Sequence, residues 1–154
     1  MDYFNKYLRK QEEPHPVELD ENGRAKYTPE FITKLADDEI FVFGSNLAGK
    51  HGGGAAATAY RCFGAVWGQG VGLQGRSYAI PTMHGGIKAI QPYVDDFIQF
   101  AKCHPELRFL VTKIGCGIAG FKQESIAPLF TDALDVENII LPHEFVLIIK
   151  NRDI

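Results

Sequence analysis

The feature that most constrains this chain is a rhythm. Four short apolar runs rich in β-formers recur along it: EIFVF (39–43), SYAIP (77–81), RFLVTKI (108–114) and NIIL (138–141). Runs of this length read as buried strands. Between the first two lies an alanine-rich stretch, 53–63, expected to be helical. Between the second and third, residues 87–103 place Ile90, Tyr93, Val94, Phe97, Ile98 and Ala101 at helical spacing, as an amphipathic helix requires. Between the third and fourth, residues 123–134 read as another helix. Strands alternating with helices imply a three-layer α/β/α domain around a mixed, largely parallel sheet.

Smaller elements are read more locally. Thr28 before Pro29 looks like an N-cap and first helical residue, which predicts a helix to about Ala36. Residues 64–75, GAVWGQGVGLQG, hold five glycines and fit a loop or an irregular hairpin. Residues 144–150, EFVLIIK, suit either a last strand or a C-terminal helix. The first 26 residues are dense in charge and carry Pro14 and Pro16, so they read as an N-terminal extension to a single domain over 27–154.

At 154 residues, 45% of them hydrophobic, the chain has material for one ordinary core. Its formal net charge of −3 gives no overall electrostatic case for nucleic acid. Three cysteines without CxxC or finger spacing argue against a disulfide framework and a zinc site, so neither metal nor cofactor is expected. The N-terminus lacks the apolar region of a signal peptide, and no apolar run reaches the ~18 residues of a membrane span. A cytoplasmic protein with no membrane partner is expected.

Two glycine-rich loops carry the chemistry. GSNLAGKHGGG follows the first strand; GCGIAGF follows the third. In open α/β sheets, ligands bind beyond the carboxyl ends of such strands. In the first loop, Gly52, Gly53 and Gly54 precede a helix of small residues, and a helix N-terminus favours an anion. In the second, successive N–H groups around Gly115, Gly117 and Gly120 can form an anion nest. The pattern is neither a P-loop nor a positioned GxGxxG.

Individual side chains have competing readings. Asn46 suits a ribose hydroxyl, or serves its own turn. His51 is the candidate acid or base, with Lys50 beside it; solvated loop side chains are the alternative. His84 lines the cleft or faces solvent. Trp67, Tyr78 and Phe121 could stack on a base or fill the core. No carboxylate sits in either glycine loop.

Together, GSNLAGKHGGGAAATAYRCFG and KIGCGIAGFKQESIAPLF resemble the two ligand loops of macrodomains, the ADP-ribose-binding family. SYAIPT falls where that family places a central strand. The likeness covers about residues 38–142 and is nearest to the branch of terminal ADP-ribose protein glycohydrolases. It implies that Asn46 faces the distal ribose and that Gly52, Gly53 and Gly54 approach the ribose and diphosphate. It implies that Gly115, Gly117, Ile118, Ala119 and Gly120 wrap the diphosphate, with Phe121 beside the distal ribose or lining the pocket. The family's catalytic acids do not carry over. Ala55-Ala56-Ala57 stand where hydrolytic members keep an aspartate, and Met83 and Ala119 stand at the lysine and aspartate positions of the glycohydrolase branch.

The resemblance thus implies a module for ADP-ribose or a similar small nucleotide, free or carried on an ADP-ribosylated macromolecule. An ADP-ribosyl hydrolase using His51 and an interaction domain whose glycines serve only packing are the alternatives. Convergence of Asn46, His51 and both loops on one cleft separates them.

Overall fold

The computed structural model describes residues 17–151. The core is a five-stranded sheet in the order β2-β3-β1-β4-β5. Its strands are β1 (Glu39–Ser45), β2 (Gly72–Gln74), β3 (Ser77–Pro81), β4 (Arg108–Val111) and β5 (Ile139–Ile140). β3, β1, β4 and β5 run parallel; β2 is antiparallel to β3 through a tight turn at Gly75-Arg76. The expected three-layer α/β architecture is therefore present. Of residues 64–75, read as a loop or an irregular hairpin, 64–71 are loop and 72–74 are the β2 arm of the hairpin with β3.

β1 is central and buried on both faces, which is why EIFVF is apolar throughout. Ile40 and Val42 point to one layer, Phe41 and Phe43 to the other. On the first side lies the larger core, closed by α2 (Ile87–Lys102), α4 (His143–Asn151) and a 3₁₀ segment, Ala127–Ala133. α2 buries Ile90, Val94, Phe97, Ile98 and Ala101, the stripe its spacing called for. On the other side α1 (Gly54–Cys62) presses Ala56 and Ala59 against Phe41 and Phe43, with Phe63 just beyond its end.

Three elements differ from expectation. Residues 28–36 form no helix. The Thr28 hydroxyl donates to Ile140 O (2.9 Å) and its N–H to Leu141 O (2.9 Å), so the residue is tied to the end of β5 instead of capping a helix. Ile32 and Leu35 from this irregular segment still pack against the Phe41–Phe43 cluster. The single helix expected over 123–134 is one α-turn, α3 (Gln123–Ile126), followed by the 3₁₀ segment. Pro128 has no N–H for the i−4 carbonyl, and the chain tightens there. Residues 144–150 belong to a helix, the second of the two readings.

The extension is described only from residue 17. There Asp20 and Arg24 reach the amino ends of β1 and β4. Arg24 makes paired 2.8 Å hydrogen bonds to Asp38, which holds the Asp38 carboxyl below its usual range. The end of the sheet opposite the glycine loops is thereby stapled. Among the described residues no helix is long and apolar enough to cross a membrane.

Candidate functional site

The chain leaves β1 towards β3 on one side and leaves β4 towards β5 on the other. The switch point of the sheet therefore lies between the carboxyl ends of β1 and β4, where a crevice is expected. Both glycine loops start there, and a cavity of about 160 Å³ opens between them.

Its floor is made of strand ends: Gly44 and Ser45 of β1, Thr82 after β3, and Thr112 after β4. One wall is the start of α1, from Gly53 to Ala56. α1 has neither a side-chain cap nor an acidic residue in its first turn. Its first N–H groups have no helical carbonyl to serve, and they carry the positive end of the helix dipole. The other wall is Ile114, Gly115, Gly117, Ile118 and Ala119. The walls meet at the mouth: a Cβ placed on Gly53 would stand 2.9 Å from Ile118 Cδ1. Among the described residues, Lys50 and Lys113 are the charged lining residues and no carboxylate lines the cavity. The Lys113 ammonium is shared with Glu144 at the start of α4, 3.4 Å away.

The first loop is fixed by its side chains. Asn46 Oδ1 accepts the Lys50 N–H (2.8 Å) and Asn46 Nδ2 donates to Lys50 O (2.9 Å). The turn-forming reading of Asn46 thus holds, although the residue also lines the cavity. The Leu47 N–H donates to His84 Nε2 (2.8 Å), so this exposed ring braces the loop from β3 and does not line the cavity. The hairpin at 64–75 braces the loop from below. A Cβ on Gly70 would fall 2.1 Å from Asn46 O, so the backbones touch in a way only glycine permits. Within GAVWGQGVGLQG, Gly70 makes this approach, Gly64 and Gly75 press on each other, and Gly68 and Gly72 take positive φ.

His51 is not at the site. It is 1% exposed and does not line the cavity. Its Nε2–H donates to Val66 O (2.9 Å), with Gln74 Oε1 at 3.2 Å, while Gln74 also receives the Val66 N–H. The ring stands edge-on to Phe43 and Trp67. His51 is a buried peg that pins the first loop to the hairpin. The catalytic role expected for it finds no geometric support, because a base must reach the bond it acts on.

The second loop brings Gly115, Gly117, Ile118 and Ala119 to the cavity; Gly52, Gly120 and Phe121 are not among the lining residues. Phe121 instead packs against the larger core and faces a shallow hollow behind the loop. That hollow is larger, about 550 Å³, but open. Glu124 and Glu144 line it, so it lacks the electrostatics of the inner cavity. Cys116 also faces it, and burial pushes its thiol above the usual range, against a nucleophilic role. Tyr78 is core, and Trp67 lies on the surface beside Tyr60.

Lys113, Thr82 and Thr112 were not singled out by sequence reasoning. Thr82 directly follows β3, and Thr112 and Lys113 lie in the run read as strand to Ile114, of which β4 takes only Arg108–Val111; the strand-end rule, applied there, would have marked them. Among the described residues no cluster of His, Cys, Asp or Glu could hold a metal.

No protein-family model matches the chain, and no curated protein or solved structure matches it either. The family reading rests on the two loop sequences alone.

Proposed function

We propose that the protein binds ADP-ribose or a related nucleoside diphosphate through the inner cavity, as a macrodomain-like module. The observation that carries this reading is the convergence of an uncapped helix N-terminus and a second glycine loop on one crevice with no carboxylate. An anion placed there meets unpaired N–H groups from α1, fields favouring negative charge, and Lys50 at the edge. The cavity is smaller than the ~300 Å³ at which drug-sized sites begin, so the diphosphate and its distal ribose are the part it encloses. The adenosine lies outside it in this reading.

Binding is favoured over hydrolysis. Among the described residues no carboxylate lines the cavity to orient water, and His51 is buried elsewhere. The interaction-domain alternative accounts for the glycines of the 64–75 hairpin. It leaves unexplained why the residues at Gly53, Gly54 and Gly117 open onto the same space.

Calorimetry with ADP-ribose tests the proposal, using Gly117→Glu as the control. A Cβ at Gly117 meets no atom within 4 Å, so the variant is expected to fold. It places bulk and negative charge in the cavity, and binding should be lost with an unchanged melting temperature. No heat from the wild-type protein at millimolar ligand overturns the reading.

A further inference from the structure

The net charge of −3 conceals a sharp asymmetry. From Ile40 to Val94 the chain contains no Asp or Glu, yet it carries Lys50, Arg61, Arg76 and Lys88. All four are exposed, and none pairs with a carboxylate among the described residues. The acids that give the chain its sign lie outside this stretch.

The same stretch holds two large aromatic side chains on the surface. Trp67 is 53% exposed and Tyr60 47%, and their rings meet edge to face with centroids 5.5 Å apart. Arg61 follows Tyr60 on α1 and is exposed in turn. α1 begins at the cavity, where Lys50 stands, and Tyr60 lies about 9 Å further along its axis. Tyr60 and Arg61 thus stand near the end of α1, Trp67 from the following loop lies against Tyr60, Lys50 precedes the helix, and the segment itself carries no acid.

We infer that this α1 face binds single-stranded nucleic acid. Bases would stack on Trp67 and Tyr60, and phosphates would meet Arg61 and Lys50. A groove of positive charge with half-exposed aromatics is how sequence-tolerant single-strand binders work. An acidic peptide would satisfy the charges but give the aromatic pair no partner. Sheet extension is not the mode of contact. The Gln69 amide donates to Val71 O (3.2 Å) and Leu73 O (3.0 Å) and so blunts the β2 edge. Lys50 also lines the inner cavity, whereas Tyr60, Arg61 and Trp67 do not, so the inference stands on those three whatever the cavity holds.

Trp67 is the chain's single tryptophan, so it reports directly. A fluorescein-labelled oligo(dT) strand of about 12 nucleotides is titrated at about 50 mM salt, following anisotropy and, with unlabelled strand, tryptophan fluorescence. Saturable binding with quenched Trp67 emission is expected, weakening with salt. Arg61→Glu, at an exposed helix position, should weaken binding about tenfold, as should Trp67→Ala. Trp67→Ala also removes a ring beside His51, so its melting temperature is measured; Arg61→Glu stands if that variant does not fold. No anisotropy change overturns the inference. So does equal affinity in the folded variants, or displacement by polyglutamate as effective as by oligo(dT).

Discussion

The two glycine loops face one cavity but are built differently. The first is held from three directions: Asn46 closes it on itself, His84 braces it from β3, and His51 pegs it to the hairpin. The second is anchored at its ends, by Gly120 N–H to Gly117 O (3.0 Å), Phe121 N–H to Gly115 O (2.8 Å) and the packing of Cys116 and Phe121 on the larger core, and among the described residues no side-chain hydrogen bond holds its tip. At its tip Ile118 is 74% exposed. A rigid wall opposed by a lightly held one is an arrangement in which a ligand orders the second against the first. Glycine serves two ends here, close backbone packing, as at Gly49 and Gly70, and open approach to a cavity, as at Gly54 and Gly117.

Substituting His51 probes the pegged side hardest. His51→Ala removes a buried ring and one of the two hydrogen bonds accepted by Val66 O, the other coming from the Gln69 N–H, and it should cost about 3 kcal/mol in urea unfolding. A loss below about 0.5 kcal/mol would mean that the first loop does not depend on the peg.

Two glycine variants separate packing from approach. Gly70→Ala forces a methyl onto Asn46 O and should destabilise by about 2 kcal/mol, whereas Gly117→Ala should change stability by less than about 0.5 kcal/mol. Equal losses in the two would erase the distinction between the glycine packed beneath the first loop and the open glycine of the second.

Ile118→Ala acts on the lightly held wall. With its side chain largely in solvent, stability should shift by no more than about 0.5 kcal/mol, while ADP-ribose affinity falls by about fivefold. Unchanged affinity would remove Ile118 from the closure of the mouth.

The smallest expected effect is chemical. Cys62 and Cys103 are exposed, whereas the Cys116 thiol in the second loop is raised by burial. A raised thiol keeps less thiolate at a given pH, so Cys116 should alkylate last at pH near 8, read by peptide mass. If Cys116 reacts first, the second loop is more open than its packing implies.

What could be read from the sequence divides along the same line. The four parallel strands and α2 were legible because periodicity and β-propensity are local, whereas the short β2 was hidden in the glycine-rich stretch 64–75. Both loops were legible as breaks at strand ends. The failures are non-local. Thr28 fits an N-cap by its neighbours, but its hydroxyl is taken by Ile140, far along the chain. His51 looks like a solvent-facing loop base until the hairpin folds back and offers Val66 O and Gln74 as partners. Asn46 kept both readings, since a loop-closing amide at a strand end also lines the crevice. Lys113 was overlooked within an apolar run, although its position at the end of β4 placed it at the crevice.

The central claim is that the two loops clamp a diphosphate at the switch point of the sheet. A crystal soaked with ADP-ribose tests it directly. The account predicts the diphosphate between the start of α1 and residues 115–119, contacted by backbone N–H groups from both, with Ile118 over the mouth. A ligand bound in the open hollow behind the second loop, or a diphosphate touching neither glycine loop, would contradict it.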